Sequence, residues 1–213
     1  MEGYSAKDLL RSIEDLKRDE VGTLVETRIS EFSKMGGESS REIFKELCFC
    51  MLCANYAAER SIAIQKALGD DFLNLPEAKL RARLVALGYR FPNVRAKYIV
   101  EARRYKDSLK DIIASFDDER KLREWLMDNI KGIGPKEASH FLRNIGHTDS
   151  AILDFHIIDV LARHGLIEKP KTLTRRRYLE IEELLRNIAS EAGLNLAELD
   201  LYLWYMETGK VLK

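Results

Sequence analysis

The sequence has no surplus of positive charge. Thirty-five lysines and arginines are balanced by thirty-five aspartates and glutamates over 213 residues, so the formal net charge at pH 7 is zero. A chain that coats nucleic acid or an anionic membrane through its overall field carries an excess of cations; here any such contact has to come from a local patch. Cysteine is also scarce. Cys48, Cys50 and Cys53 are the only three, crowded into one short stretch. An odd, clustered set is no disulfide framework and points to a reducing compartment. No fourth cysteine completes a four-thiolate iron–sulfur cluster. The segment that holds them, FKELCFCMLCANYAAE, is apolar and helical in pattern, so these thiols are expected to pack as small hydrophobes rather than bind metal. No cofactor motif is found, and neither a cofactor nor a metal is expected.

Long apolar runs are missing as well. Nothing approaches the roughly 20 residues that span a bilayer. The N-terminal MEGYSAKDLLRSIEDLK is amphipathic and mixed in charge, without the apolar run and small-residue cleavage site of a signal peptide. A cytoplasmic protein with no membrane partner is expected. Finally, no period-two alternation suggests a strand.

What is present is helical periodicity. Leucines and isoleucines recur at three- and four-residue spacing through SAKDLLRSIEDLKRDEVGTLVETRISEF. A second run, SSREIFKELCFCMLCANYAAERSIAIQKALG, opens on serines and stops on glycine. NLPEAKLRARLVALG has Pro76 near its start and Gly88 at its end, the usual helix asymmetry. FPNVRAKYIVEARRY, DDERKLREWLMDNI, TRRRYLEIEELLRNIASEAG and NLAELDLYLWYMETG follow. With 46% hydrophobic and 33% charged residues, this is the composition of an ordinary globular protein. The expected fold is all-α: about ten helices in two lobes with a central cleft, forming one compact unit over residues 1–213.

One stretch carries chemistry. DNIKGIGPKEASHFLRN reads as helix, tight turn, helix, within a hairpin motif spanning 120–146. Gly132 and Gly134 can adopt backbone angles that other residues resist, and they let a ligand approach the main chain. Pro135 suits a first helical turn. The amides at the start of that second helix, together with its dipole, favour an anion such as a DNA phosphate. That contact would follow the backbone without reading bases. A purely structural glycine turn is the competing account.

Lys136 then opens the second helix, at its positive end. A lysine there is disfavoured as an ammonium ion, and a neutral amine attacks electrophilic carbon and forms a Schiff base. Eighteen residues on, AILDFHIIDVLARHG places Asp154 just before a helix. That is an N-cap position, and equally a place from which a carboxylate could stabilise positive charge on a reacting sugar. His156 could hold a phosphate or pack in the helix.

NIKGIGPKEASHFLRNIG followed by AILDFHIIDVLARHG resembles the helix-hairpin-helix DNA glycosylases of the endonuclease III superfamily, with their hairpin ending in G-x-G-x-K and a later D-x-H. GYRFPNVRAKYIVEARR, CANYAAERSIAIQKALG and the ending DLYLWYMETGKVLK look like the short archaeal and bacterial branch of the 8-oxoguanine DNA glycosylases. The likeness runs over most of the chain. It implies base-excision repair by a bifunctional N-glycosylase and AP lyase acting on double-stranded DNA that contains 8-oxoguanine, as a monomer. The lesion would be flipped out. Lys136 would attack C1′, expel the base and pass through a Schiff base to β-elimination, with Asp154 as the catalytic carboxylate.

The resemblance also implies a base pocket. His140 lies one helical turn after Lys136 on the same face and matches a position against the flipped base. Trp204 is a stacking platform or core. Lys213 takes part in telling 8-oxoguanine from guanine, and a terminal carboxylate accepting the N7–H is one means, since a carboxylate only accepts. Asn55 would fill the gap left by the flipped base and Arg60 would meet the orphaned cytosine, unless both are ordinary polar residues at a helix junction.

Two basic stretches could form a DNA-facing surface. Residues 90–106 carry Arg90, Arg95, Lys97, Arg103, Arg104 and Lys106 against Glu101, and residues 169–177 carry Lys169, Lys171, Arg175, Arg176 and Arg177 with no acid. Rival accounts are a glycosylase for another damaged base, a hairpin module that binds DNA without chemistry, and an all-α small-molecule enzyme.

Overall fold

The computed structural model describes residues 5–213. In chain order its helices are α1 (Ala6–Lys17), α2 (Glu20–Gly37), α3 (Ser40–Cys53), α4 (Ala58–Leu68), α5 (Asp71–Asn74), α6 (Glu77–Ala86) and α7 (Pro92–Ala102). After a 3₁₀ turn at Arg103–Tyr105 come α8 (Leu109–Ala114), α9 (Glu119–Asn129), α10 (Pro135–Asn144), α11 (Phe155–Arg163), α12 (Arg175–Glu191) and α13 (Leu196–Thr208). No strand occurs among the described residues. The all-α expectation holds, with thirteen α-helices among the described residues rather than about ten.

The extra helices have local causes. The first periodic run breaks after α1, where Arg18 and Asp19 take the chain around a tight corner. Gly22 allows the corner: a Cβ there would sit 2.5 Å from the Lys17 carbonyl oxygen. The second run breaks at Ala54 (ψ 111°) and Asn55 (φ 57°). Asn55 is the one non-glycine residue with positive φ among those described. The four-residue α5 and six-residue α8 are too short to show a period.

The chain divides into two compact units. One comprises Ser33–Ile145, the other the N-terminal stretch through Phe32 together with Gly146–Lys213.

The Ser33–Ile145 unit is built around α3. Every residue of α3 from Leu47 to Cys53 is buried, as befits a helix apolar on all sides. Its own Phe44 is fully buried too, and Phe72, Leu80, Leu84 and Phe141 are fully buried around it. All three thiols lie in this core and none is in a disulfide. Near the end of α2, Gly36 meets the end of α10 so closely that a Cβ would be 2.2 Å from the Ile145 carbonyl oxygen. A polar chain runs through the interior: Asn144 Nδ2 donates to Glu46 Oε1 (2.7 Å), and Gln65 Nε2 donates to Glu46 Oε2 (3.0 Å). It joins α10, α3 and α4.

In the other unit α1, α11, α12 and α13 bury Leu9, Ile13, Leu161, Ile181, Leu185 and Leu203 against one another. A smaller cluster sets Val21, Val25 and Phe32 on Leu201 and Tyr202. Asn195 caps α13 through Glu198 N–H (2.9 Å), and Glu198 returns the bond to Asn195 N–H (2.9 Å). No helix is long and apolar enough to cross a membrane among the described residues.

Candidate active site

The hairpin is α9, the turn 130–134, and α10. Asp118 caps α9, accepting from the amides of Arg120 (2.8 Å) and Lys121 (3.1 Å). The turn tightens as Ile133 N–H donates to the Ile130 carbonyl (3.3 Å). Gly132 sits at φ 83°, in the left-handed region that costs other residues free energy. Space is a second constraint: a Cβ on Gly132 would come within 2.4 Å of the Tyr98 ring and 3.0 Å of Arg95 Nη1. Gly134 is different. Its φ of −101° and ψ of −174° suit any residue. What limits it is the Glu137 carboxylate, whose Oε2 would lie 3.1 Å from a Cβ and accepts the Gly134 N–H at 3.2 Å.

Pro135 occupies the first position of α10 and Lys136 the second. Lys136 is partly buried, with Nζ 3.9 Å from Glu137 Oε1. Glu137 thus stands beside both the amine and a hairpin amide, a role the sequence pattern did not suggest. An acid in a first helical turn is favoured by the dipole, and G-P-K-E was the available signal. One turn on, His140 is buried and meets the edge of Phe49 at 5.6 Å between centroids.

Asn55 and Arg60 are exposed in the same unit, Asn55 between α3 and α4 and Arg60 in the first turn of α4. Three bases of the 90–106 stretch turn inward instead of forming a surface. Arg95 is buried. Arg103 donates to the carbonyls of Phe72 (2.7 Å) and Asp71 (3.1 Å), and Lys106 to that of Leu73 (3.3 Å). Arg103 and Lys106 thus supply donors to the carbonyls of the short α5, which has few donors of its own to meet them. Arg90 and Lys97 remain exposed.

In the second unit Asp154 is the N-cap of α11; its Oδ1 accepts the Ile157 N–H at 3.0 Å. The extended segment that delivers it is pinned from α12. Tyr178 hydroxyl donates to the Ala151 carbonyl (2.5 Å) and accepts from the Leu153 N–H (3.4 Å), while the buried Glu182 accepts from the Ala151 N–H (2.9 Å). Sequence reasoning missed both residues, since each looks like a routine face position of an amphipathic helix.

Next to Asp154 an aromatic row begins. Phe155, though apolar, is 67% exposed. Its ring lies 3.8 Å from that of His156, and His156 meets Trp204 edge-on at 4.6 Å. The Trp204 indole N–H is buried with no acceptor among the described residues. Buried donors in finished proteins are almost always paired, so this one suits a ligand acceptor. Lys213 is partly buried in this unit. The 169–177 stretch is largely compensated: Lys169 pairs with Asp159, and Arg176 and Arg177 both pair with Glu180.

A helix-hairpin-helix whose second helix carries a lysine in its first turn, with a capping aspartate further along an all-α chain, is the pattern of the helix-hairpin-helix DNA glycosylase class. Comparison with known proteins narrows it. The 8-oxoguanine DNA glycosylase family model matches residues 25–194. The 8-oxoguanine DNA glycosylase/AP lyase of Methanocaldococcus jannaschii is 54% identical over 206 residues, covering 96% of this chain and 99% of the relative. That of Korarchaeum cryptofilum is 53% identical over 207 residues, covering 97% and 98%. The chain belongs to the 8-oxoguanine DNA glycosylase family. Among solved structures, the M. jannaschii glycosylase/lyase in complex with 15mer DNA containing 8-oxoguanine has a TM-score of 0.94 at 54% identity, over 96% of this chain and 99% of that one. The Thermotoga maritima 8-oxoguanine DNA glycosylase has 0.91 at 45%, over 98% and 100%.

Proposed function

We propose that this protein is a base-excision repair enzyme that flips 8-oxoguanine out of double-stranded DNA, breaks its N-glycosyl bond and cleaves the strand at the resulting abasic sugar. The observation that carries this is the pairing of Lys136, at the start of the hairpin's second helix, with near full-length identity to glycosylase/AP lyases. A hairpin that only bound DNA would have no use for a shielded amine beside a glycine turn.

The steps follow from the groups. The amine of Lys136 attacks C1′ as the bond to the base breaks, and the electron pair of that bond leaves with the base. The nitrogen then loses one proton and O4′ gains one as the sugar ring opens, giving a protonated iminium at C1′. Loss of a proton from C2′ drives β-elimination of the 3′ phosphate, and water releases the lysine. The Asp154 carboxylate stabilises the positive character that builds on the sugar. Gly132, Gly134 and His156 serve the phosphate backbone. His140, Trp204 and Lys213 serve the expelled base, with the unpaired Trp204 N–H as a donor awaiting an acceptor. Asn55 and Arg60 serve the gap and the opposite base. A neutral chain can do this because backbone amides and a few cations suffice for register on the strand. The enzyme works as a cytoplasmic monomer without a cofactor.

The test is borohydride trapping on duplex DNA with 8-oxoguanine opposite each normal base. A covalent adduct is expected for the native protein and none for Lys136→Gln, which should still bind the duplex. An adduct that survives in Lys136→Gln would overturn the assignment of the nucleophile. Adducts with other lesions but not 8-oxoguanine would overturn the substrate.

A further inference from the structure

Arg95 is a cation in the wrong place for a surface patch. It lies in the first turns of α7 with only 8% of its surface exposed. The acceptors it reaches are neutral. Nε donates to the Tyr89 hydroxyl (3.3 Å) and Nη2 to the Ala54 carbonyl (3.4 Å). Tyr89 in turn donates to the Leu52 carbonyl (2.9 Å). Both carbonyls belong to the C-terminal end of α3, where a cation also complements the helix dipole. A buried guanidinium is costly to desolvate, so its presence needs a reason beyond packing.

Its neighbours supply one. Ala54 directly precedes Asn55, the strained left-handed residue that ends α3 on an exposed side chain. Such strain persists only where the surroundings hold it. The same guanidinium faces the hairpin: Nη1 lies where a Cβ on Gly132 would be 3.0 Å away, with the Tyr98 ring of the same helix closer still at 2.4 Å. One side chain therefore crowds the Gly132 turn and bonds the carbonyl of the residue that precedes Asn55.

We propose that Arg95 is a positioning residue that ties the hairpin turn to the Asn55 loop, so that Asn55 enters the gap in the duplex at a depth fixed by where the hairpin grips the strand. This rests on the assignment of Asn55 to the gap. The planar fork is needed because Nε and Nη2 bond Tyr89 and Ala54 while Nη1 is left against the Gly132 turn, an arrangement a single ammonium cannot reproduce.

The experiment measures dissociation constants for two duplexes, one intact and one carrying a tetrahydrofuran abasic analogue, and takes their ratio as the readout of gap filling. Four full-length proteins are compared: native, Asn55→Gly, Arg95→Met and the double variant. Glycine at 55 keeps the left-handed backbone and removes only the side chain. We expect Arg95→Met to lower the preference for the gapped duplex about tenfold, and Asn55→Gly to add nothing in that background. Arg95→Lys, which keeps the charge, is expected to recover little of the preference; it also replaces Arg95→Met should that variant fail to fold. Factors that multiply in the double variant overturn the coupling. Equal weakening on both duplexes overturns it too, because general destabilisation would do that. If Asn55→Gly alone leaves the ratio at its native value, the gap assignment fails first and the proposal falls with it.

Discussion

Asp154, as the proposed catalytic carboxylate, allows its two roles to be separated, because they need different properties of the side chain. As the N-cap of α11 it has to present one oxygen to the Ile157 N–H at 3.0 Å. As a stabiliser of a cationic sugar it has to be charged. Asparagine keeps the first and loses the second. Asparagine and aspartate are equivalent caps, whereas alanine in their place costs about 1 kcal/mol. In a chain of this size that moves the melting temperature by about 2–4 °C. Removing a preorganised charge aimed at a transition state lowers turnover by roughly 10²–10³. Asp154→Asn should therefore melt with the native protein while single-turnover excision of 8-oxoguanine falls by about that factor. Asp154→Ala should lose excision to a similar degree and melt about 2–4 °C lower. Differential scanning fluorimetry and a gel-based excision assay on the same preparations decide the matter. If Asp154→Asn excises within tenfold of native, the carboxylate is a cap and no more. If it melts with Asp154→Ala, the side chain holds α11 by charge and the division of roles is wrong.

Other outcomes follow from the packing. Gly36→Ala should destabilise by about 1–3 kcal/mol, the usual cost of overpacking, because its Cβ would meet a backbone oxygen at 2.2 Å. Gly37→Ala, with nothing within 4 Å, should be neutral or slightly stabilising; thermal melts of the pair test this. The amides of Lys121 and Arg120 hold the Asp118 carboxyl below the usual carboxylate range. Its stabilising effect is accordingly present above about pH 4, the ordinary carboxylate value, and is lost as pH falls through the lowered one. The melting difference between native protein and Asp118→Leu should shrink with acidification below pH 4.

Much of this was legible from residue order, for reasons that can be named. Helices stand out when their period is long enough to repeat, which is why α9, α10 and α13 were plain and α5 and α8 were not. Breaks inside periodic runs were hidden: Arg18, Asp19 and Asn55 are ordinary polar residues, and only the three-dimensional corner reveals that the chain turns there. The hairpin lysine and the capping aspartate were visible because their position relative to a helix start is written in the adjacent glycine, proline and apolar residues. Gly134 shows the limit of that logic, since its torsions are ordinary and a carboxylate rather than a backbone angle restricts it. Half of the 90–106 stretch was misjudged because charge is readable in sequence but its direction is not: Arg95, Arg103 and Lys106 point inward. Tyr178 and Glu182 escaped notice because their partners are main-chain atoms more than twenty residues away.

The burial of α3 has a chemical consequence for the thiols it carries. Thiols oxidise as thiolates, and at a rate set by access. Cys48, Cys50 and Cys53 are between 0% and 4% exposed, and desolvation pushes the Cys48 thiol far above its ordinary value. Peroxide therefore meets none of the three cysteine thiols on the folded protein. Only unfolding of the Ser33–Ile145 core uncovers them, so the kinetics of thiol labelling would time the opening of that core from within.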